Sequence, residues 1–449
     1  MPGRGIAEIV DAAPFPTHNR PPMGLMRVLS IAGWVAVPAA FGVHFWIGTS
    51  GNQAARWEPG ATFALAGLGV VPLARLMGQA TEHLSEQAGP TWGGLINATF
   101  GNAAELIIGI IALTKGMNDI VRASLTGSIL GNLLLVSGGA MLTGGWNREK
   151  QVFNRSSAQT NAGMLSLAVA SMLFPAIFDF TCRFYERVDG ATLGRHEQAV
   201  SVGTCVILLV VYGLGLLFTL RTHAHIFSPA PGQTPEDPIG IAGLGGTWTV
   251  KRSIGVLLAA SAGTALLSEL LVGSTDKMAQ RMGWNHLFVG VILIAIIGNA
   301  AEHSTAVLLA RKNDMDTAMT ITFQSSLQIA LFVTPVLVLL STLLVGSGLV
   351  HPQVPGHAKA LNLVFSPMEV VAVVLTVGIV VILGMDGQTN WFEGVMLLAL
   401  YVILGLAFFY MPGRDESGYD EGVPSLIGSP APAGRVSAGS DASGSLAGG

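Results

Sequence analysis

The sequence predicts an all-α integral membrane protein of about eleven transmembrane helices, a leading helix followed by two inverted repeats of five. Three observations predict it. Charged residues make up only 11% of the 449, while 51% are hydrophobic; soluble domains carry about 25% charge. Eleven apolar stretches come close to the ~20 residues that a helix needs to span hydrocarbon. The pentapeptide Gly-Asn-Ala-Ala-Glu occurs twice, at Gly101–Glu105 and Gly298–Glu302, both inside such stretches.

The elements follow in chain order. Residues 1–27 are a polar, Pro-rich N-terminal tail, with no short apolar core before a small-residue cleavage site, so no signal peptide is expected. Residues 28–59 hold the leading helix, 28–48, and a loop. The first repeat, 60–220, has spans at 60–80, 92–114, 120–143, 158–178 and 199–220. Residues 221–252 are rich in Pro and Gly and read as a flexible linker. The second repeat, 253–411, has spans at 253–272, 286–310, 317–346, 363–384 and 391–411. Residues 412–449 are Gly, Ser, Ala and Pro and read as a disordered tail.

Strict apolar–polar alternation is absent, which argues against a membrane barrel. The net charge of −4 is spread thinly and gives no basic field for nucleic acid. Lys and Arg divide almost evenly between the two faces, leaving only a weak preference for an inside N-terminus. Cys182 and Cys205 imply no disulfide framework and read as small apolar residues.

The repeat extends past the pentapeptide. At an offset of 197 residues (Gly101 to Gly298), Lys115 matches Lys312, Asp119 matches Asp316 and Ser128 matches Ser325. Upstream, Thr81-Glu82 resembles Ser268-Glu269. Five spans per repeat is an odd number. The second copy therefore enters the membrane upside down, and the two motifs approach the midplane from opposite sides, where such folds bind their ions.

A carboxylate inside a membrane span costs a few kcal/mol or more. Glu105 and Glu302 must each meet a proton, a cation or a partner. Asn102 and Asn299 lie three residues earlier, on the same helix face. Ser128 and Ser325 are on the next helix of each half, with Gln328 one turn beyond Ser325. Two carboxylates with neutral oxygens suit a hard cation such as calcium, and no thiolate is placed to favour a soft one. The same cost of buried charge makes an empty pair hold protons, which an arriving divalent ion displaces. Competition of that kind is what antiport requires.

Plainer roles compete with these. A Glu can be a permanently protonated bond between helices, and Asn and Ser can be packing residues. Glu82 and Glu269 sit at predicted helix ends, as interfacial acids or as a cation gate. His303, next to Glu302, points about 100° away around the helix and reads as packing or as support. Glu369 and Lys115 read as interfacial. Other functions stay open: antiport of another ion pair, or a passive cation channel. No His-Glu-x-x-His or Gly-x-Ser-x-Gly constellation suggests a hydrolase.

The stretches Asn97–Leu106, Gly127–Leu134 and Gly298–His303 resemble the calcium/proton exchanger (CAX) family of the calcium/cation antiporter superfamily. The resemblance covers roughly 60–411. It implies the eleven-helix fold with two inverted repeats, and calcium transport driven by a proton gradient. It makes Glu105 and Glu302 the ion- and proton-binding carboxylates, with Asn102, Asn299, Ser128, Ser325 and Gln328 in the site. Glu82 and Glu269 match acidic positions of the cation path. No resident cofactor and no enzymatic activity are expected. The partners are calcium, protons and the lipid bilayer, in a bacterial cytoplasmic membrane. One departure is the linker, which the family often makes strongly acidic and which here has only Glu236 and Asp237.

Overall fold

The structure is a computed structural model that describes residues 23–47, 57–186, 189–227, 248–348 and 359–412. Within them the chain is almost entirely helical. The leading helix α1 is Met23–Gly42, continued by a π-helical turn Val43–Ile47. The first repeat holds α2 (Glu58–Gly89), the bent pair α3 (Trp92–Phe100) and α4 (Ala103–Thr114), α5 (Asn118–Gly145), α6 (Arg155–Phe184) and α7 (Thr192–Thr222). The second holds α8 (Val250–Met282), α9 (His286–Arg311), α10 (Met315–Gly346), α11 (Pro367–Gly384) and α12 (Trp391–Tyr410).

Nine helices among the described residues are long and apolar enough to cross a membrane, and the α3–α4 pair makes ten if counted as one span. With α1, this is the predicted pattern of one helix plus five and five. The linker residues 228–247, including Glu236 and Asp237, lie outside the described residues, as do 1–22 and 413–449. Helix starts carry the expected caps. Asn154, Thr249, Asn285 and Asn390 each accept a backbone N–H from the first turn of α6, α8, α9 and α12. Ser366 and Glu369 form a reciprocal capping box at α11.

Several helices are longer than predicted, and in two of them this moves an acidic residue inward. α2 runs to Gly89 rather than 80, and α8 runs to Met282 rather than 272. Their last turns are polar and escape a search for apolar residues. Glu82 and Glu269 therefore lie within helices, not at their ends. Glu369, read as interfacial, is in the first turn of α11 and packed inside the protein. It is 3% exposed and accepts from Thr126 at 3.2 Å.

The two repeats interlock. α2 lies along α8, the first helix of one half against the first of the other. α4 packs on α8, and α5 packs on α9. A two-residue strand β1 (Gln151–Val152) pairs antiparallel with β2 (Gln388–Thr389), tying the loop after α5 to the loop before α12. The α5–α9 crossing is very close: a Cβ on Gly127 would run into the Val291 backbone, and one on Gly290 into Ala123. Overpacking of this kind costs about 1–3 kcal/mol. Gly127→Val is expected to lower the melting temperature of the detergent-solubilised protein, and an unchanged melting temperature would contradict the close crossing.

Candidate cation site

The two motif copies have the same letters and different shapes. In the first, Gly101 and Asn102 interrupt the helix, and α3 and α4 meet at a bend of 43°. Asn102 is the last residue before α4, which places Glu105 in its first turn. In the second, α9 continues through Gly298 and Asn299, with a π-helical turn, Val289–Ile294, just before them. Both facing helices also carry π-helical turns, Gly131–Val136 in α5 and Ile329–Val333 in α10. Such turns are frequent at functional sites.

The copies meet. A Cβ on Gly298 would stand 3.5 Å from Glu105 Oε1, so the carboxyl of the first motif rests on the glycine of the second. The glycine brings the two copies into direct contact at this point. The Glu105 and Glu302 carboxyls are near enough to interact through space. Ser325 lies beside the Glu302 carboxyl.

The amides are buried and crossed between halves. Asn299, 1% exposed, donates from Nδ2 to Ser128 Oγ at 2.8 Å and to the Ala295 carbonyl at 3.0 Å. Asn102, fully buried, donates from Nδ2 to Gln328 Oε1. Asn132, 1% exposed, donates to Ser325 Oγ at 2.8 Å. With their nitrogens thus engaged, the oxygens are left over. Asn102 Oδ1, Asn299 Oδ1 and Glu302 Oε2 are buried and accept no hydrogen bond. Leaving a buried acceptor unpaired costs about 1–3 kcal/mol. A cation satisfies such oxygens without supplying a donor.

The donor set fits a hard cation. No group of three or more His, Cys, Asp or Glu suited to a metal occurs among the described residues. A cation held here would draw its charge from two carboxylates and its remaining ligands from neutral oxygens. An oxygen-only set of this kind is suited to calcium.

Glu105, Glu302, Asn102, Asn299, Ser128, Ser325 and Gln328 all fall in this cluster. Glu82 and Glu269 do not. Glu82 is exposed on α2. Glu269 pairs with Lys115 Nζ at 2.6 Å, and Lys115 follows α4 directly. Lys115, read as interfacial, thus also ties the end of α4 to α8. Asn132 was not singled out from sequence; its signal was an amide inside the Gly127–Leu134 stretch. His303 Nε2 is buried without a partner, and its ring lies near Gly131.

The sodium/calcium exchanger protein family matches residues 59–221 and 252–410. A Ca2+/H+ antiporter of Aphanothece halophytica is 40% identical over 370 residues, 81% of this chain and 93% of that protein. The Ca2+/H+ antiporter ChaA of Bacillus subtilis is 40% identical over 79% of this chain and 93% of its own length. The solved structure of native YfkE superposes with a TM-score of 0.66 at 36% identity, covering 85% of this chain and all of that one. A crystal structure of the H+/Ca2+ exchanger CAX, 14% identical with a TM-score of 0.59, shares the fold. This chain belongs to the sodium/calcium exchanger protein family and is an integral membrane protein.

A ligand at 100 times its Kd adds about 2.7 kcal/mol to the folded state. Saturating calcium is therefore expected to raise the wild-type melting temperature, and to leave that of the Glu105→Gln, Glu302→Gln double variant unchanged. Equal shifts in both proteins would place the ion elsewhere.

Proposed function

We propose that this family member exchanges calcium for protons by alternating access, with the Glu105–Glu302 pair as the exchange site. The observation that carries the reading is the set of unpaired buried oxygens drawn from both motifs, Asn102 Oδ1, Asn299 Oδ1 and Glu302 Oε2. Relatives named Ca2+/H+ antiporters, about 40% identical over most of both chains, support the choice of ions.

The cycle follows from the cost of buried charge. Calcium enters between the carboxyls of Glu105 and Glu302, and the protons they held leave. The amide oxygens of Asn102 and Asn299 complete part of its coordination. Ser128 and Gln328 hold those amides from across the halves, and Ser325, itself held by Asn132, orients Glu302. The loaded site is compensated and can be enclosed. The repeats then exchange their shapes and open the site to the other side, where protons displace the ion. An empty, unprotonated pair would be two bare charges in a dry site, so that state resists enclosure and the fluxes stay coupled. Glu82 and Glu269, on the paired helices α2 and α8, act as cation-path acids outside the site. The Lys115–Glu269 contact holds α4 against α8 in the present state. The membrane is a bacterial cytoplasmic membrane in this reading.

The test is proton flux in proteoliposomes under an imposed pH gradient without sodium. Wild type is expected to take up calcium and move protons the opposite way. Glu302→Gln, which inserts and folds, is expected to lose at least about 100-fold of that flux, some 2.7 kcal/mol. Wild-type flux in Glu302→Gln would overturn the mechanism. A strict requirement for sodium would move the reading to sodium/calcium exchange.

A further inference from the structure

We propose that protons reach the exchange site by a branch of their own, a water-holding cavity between α3, α6, α7 and α10 that calcium does not use. The inference rests on the exchange reading above.

The cavity measures about 130 Å³ and is bordered by Asn97 of α3, Asn161 of α6, Tyr212 and Thr219 of α7, and Gln324 and Gln328 of α10. It has room for several waters. Its polar groups are amides and hydroxyls. Among the described residues, no carboxylate, Lys, Arg or His borders it.

Asn161 is the informative residue. It is 2% exposed and borders the cavity. A buried amide of this kind needs water, because an unpaired one costs about 1–3 kcal/mol. Asn97 and Gln324 add two further amides to the same wall. The cavity is therefore built to hold water.

Its inner end meets the exchange site. Gln328 borders the cavity and accepts from Asn102, the amide one turn before Glu105. A polar file thus runs from the cavity through Gln328 and Asn102 to the first motif.

The chemistry of the wall separates the two ions. Calcium takes six to eight oxygen ligands and needs anionic charge nearby. A neutral cavity of this size strips much of its hydration and returns no charge. A proton needs only a chain of hydrogen-bonded waters. It passes from bulk hydronium along those waters to a site carboxylate, which becomes a carboxylic acid as calcium leaves. Calcium has another approach, since Glu105 and Glu302 are each only partly buried and neither borders this cavity.

The experiment separates two reactions of the purified full chain in proteoliposomes: calcium uptake driven by a pH gradient, which needs protons delivered, and exchange of radioactive for unlabelled calcium at equal pH, which does not. Asn161→Leu fills the cavity with a branched apolar side chain. It is expected to cut gradient-driven uptake about tenfold or more, while calcium–calcium exchange stays within about twofold of wild type. That retained exchange also reports a folded protein. Asn161→Ser, which keeps a polar wall, is expected to retain both reactions. If both reactions fall together in Asn161→Leu, or if neither changes, the separate branch is overturned. Wild type without gradient-driven uptake would overturn the exchange reading, and this inference with it.

Discussion

A carboxylate enclosed in hydrocarbon must be matched by a proton, a cation or hydrogen-bond donors, and the rest of this structure follows from applying that requirement to two carboxylates at once. Glu105 and Glu302 come from opposite halves and meet where Glu105 rests on Gly298. Around them the buried amides direct their nitrogens outward to Ser128 and Gln328. Their oxygens are buried and left without a donor. A centre so arranged binds positive charge and is costly when left bare.

The fold makes such a centre by duplication. Five spans per repeat invert the second copy, so each motif helix is braced by polar residues of the other half. The duplication is not exact in shape. The first motif bends by 43°, and the second runs through. In an inverted repeat, the bent and straight forms of one sequence are the natural shapes for two sides of the membrane that differ in access. In the proposed cycle, exchange of these shapes between halves reverses the opening. Close crossings such as Gly127 on Val291 allow two discrete arrangements more readily than a gradual deformation.

Much of this was legible in the sequence. Low charge and span length gave an all-α membrane protein, and parity gave inversion. Identical pentapeptides marked both carboxylates, and the Asn three residues ahead followed from helical spacing. The rest was hidden for physical reasons. The bend at Gly101-Asn102 has no counterpart at Gly298-Asn299 although the letters are the same, so the pentapeptide alone does not encode it. Asn132 pairs with Ser325 across the halves, yet its repeat-matched position is Ile329, so the offset that found Ser325 passes over it. The polar last turns of α2 and α8 concealed that Glu82 and Glu269 are within helices. The Lys115–Glu269 contact joins the two halves, which no spacing along one strand of sequence discloses.

The central claim is that calcium and protons compete for one pair of carboxyls. The most direct measurement is calorimetric titration of calcium into the purified protein, in buffers of different ionisation enthalpy, which counts the protons released on binding. Wild type is predicted to release protons as calcium binds, and to release none when both Glu105 and Glu302 are changed to Gln. Calcium binding without proton release in wild type, or undiminished release in the double variant, would contradict the account.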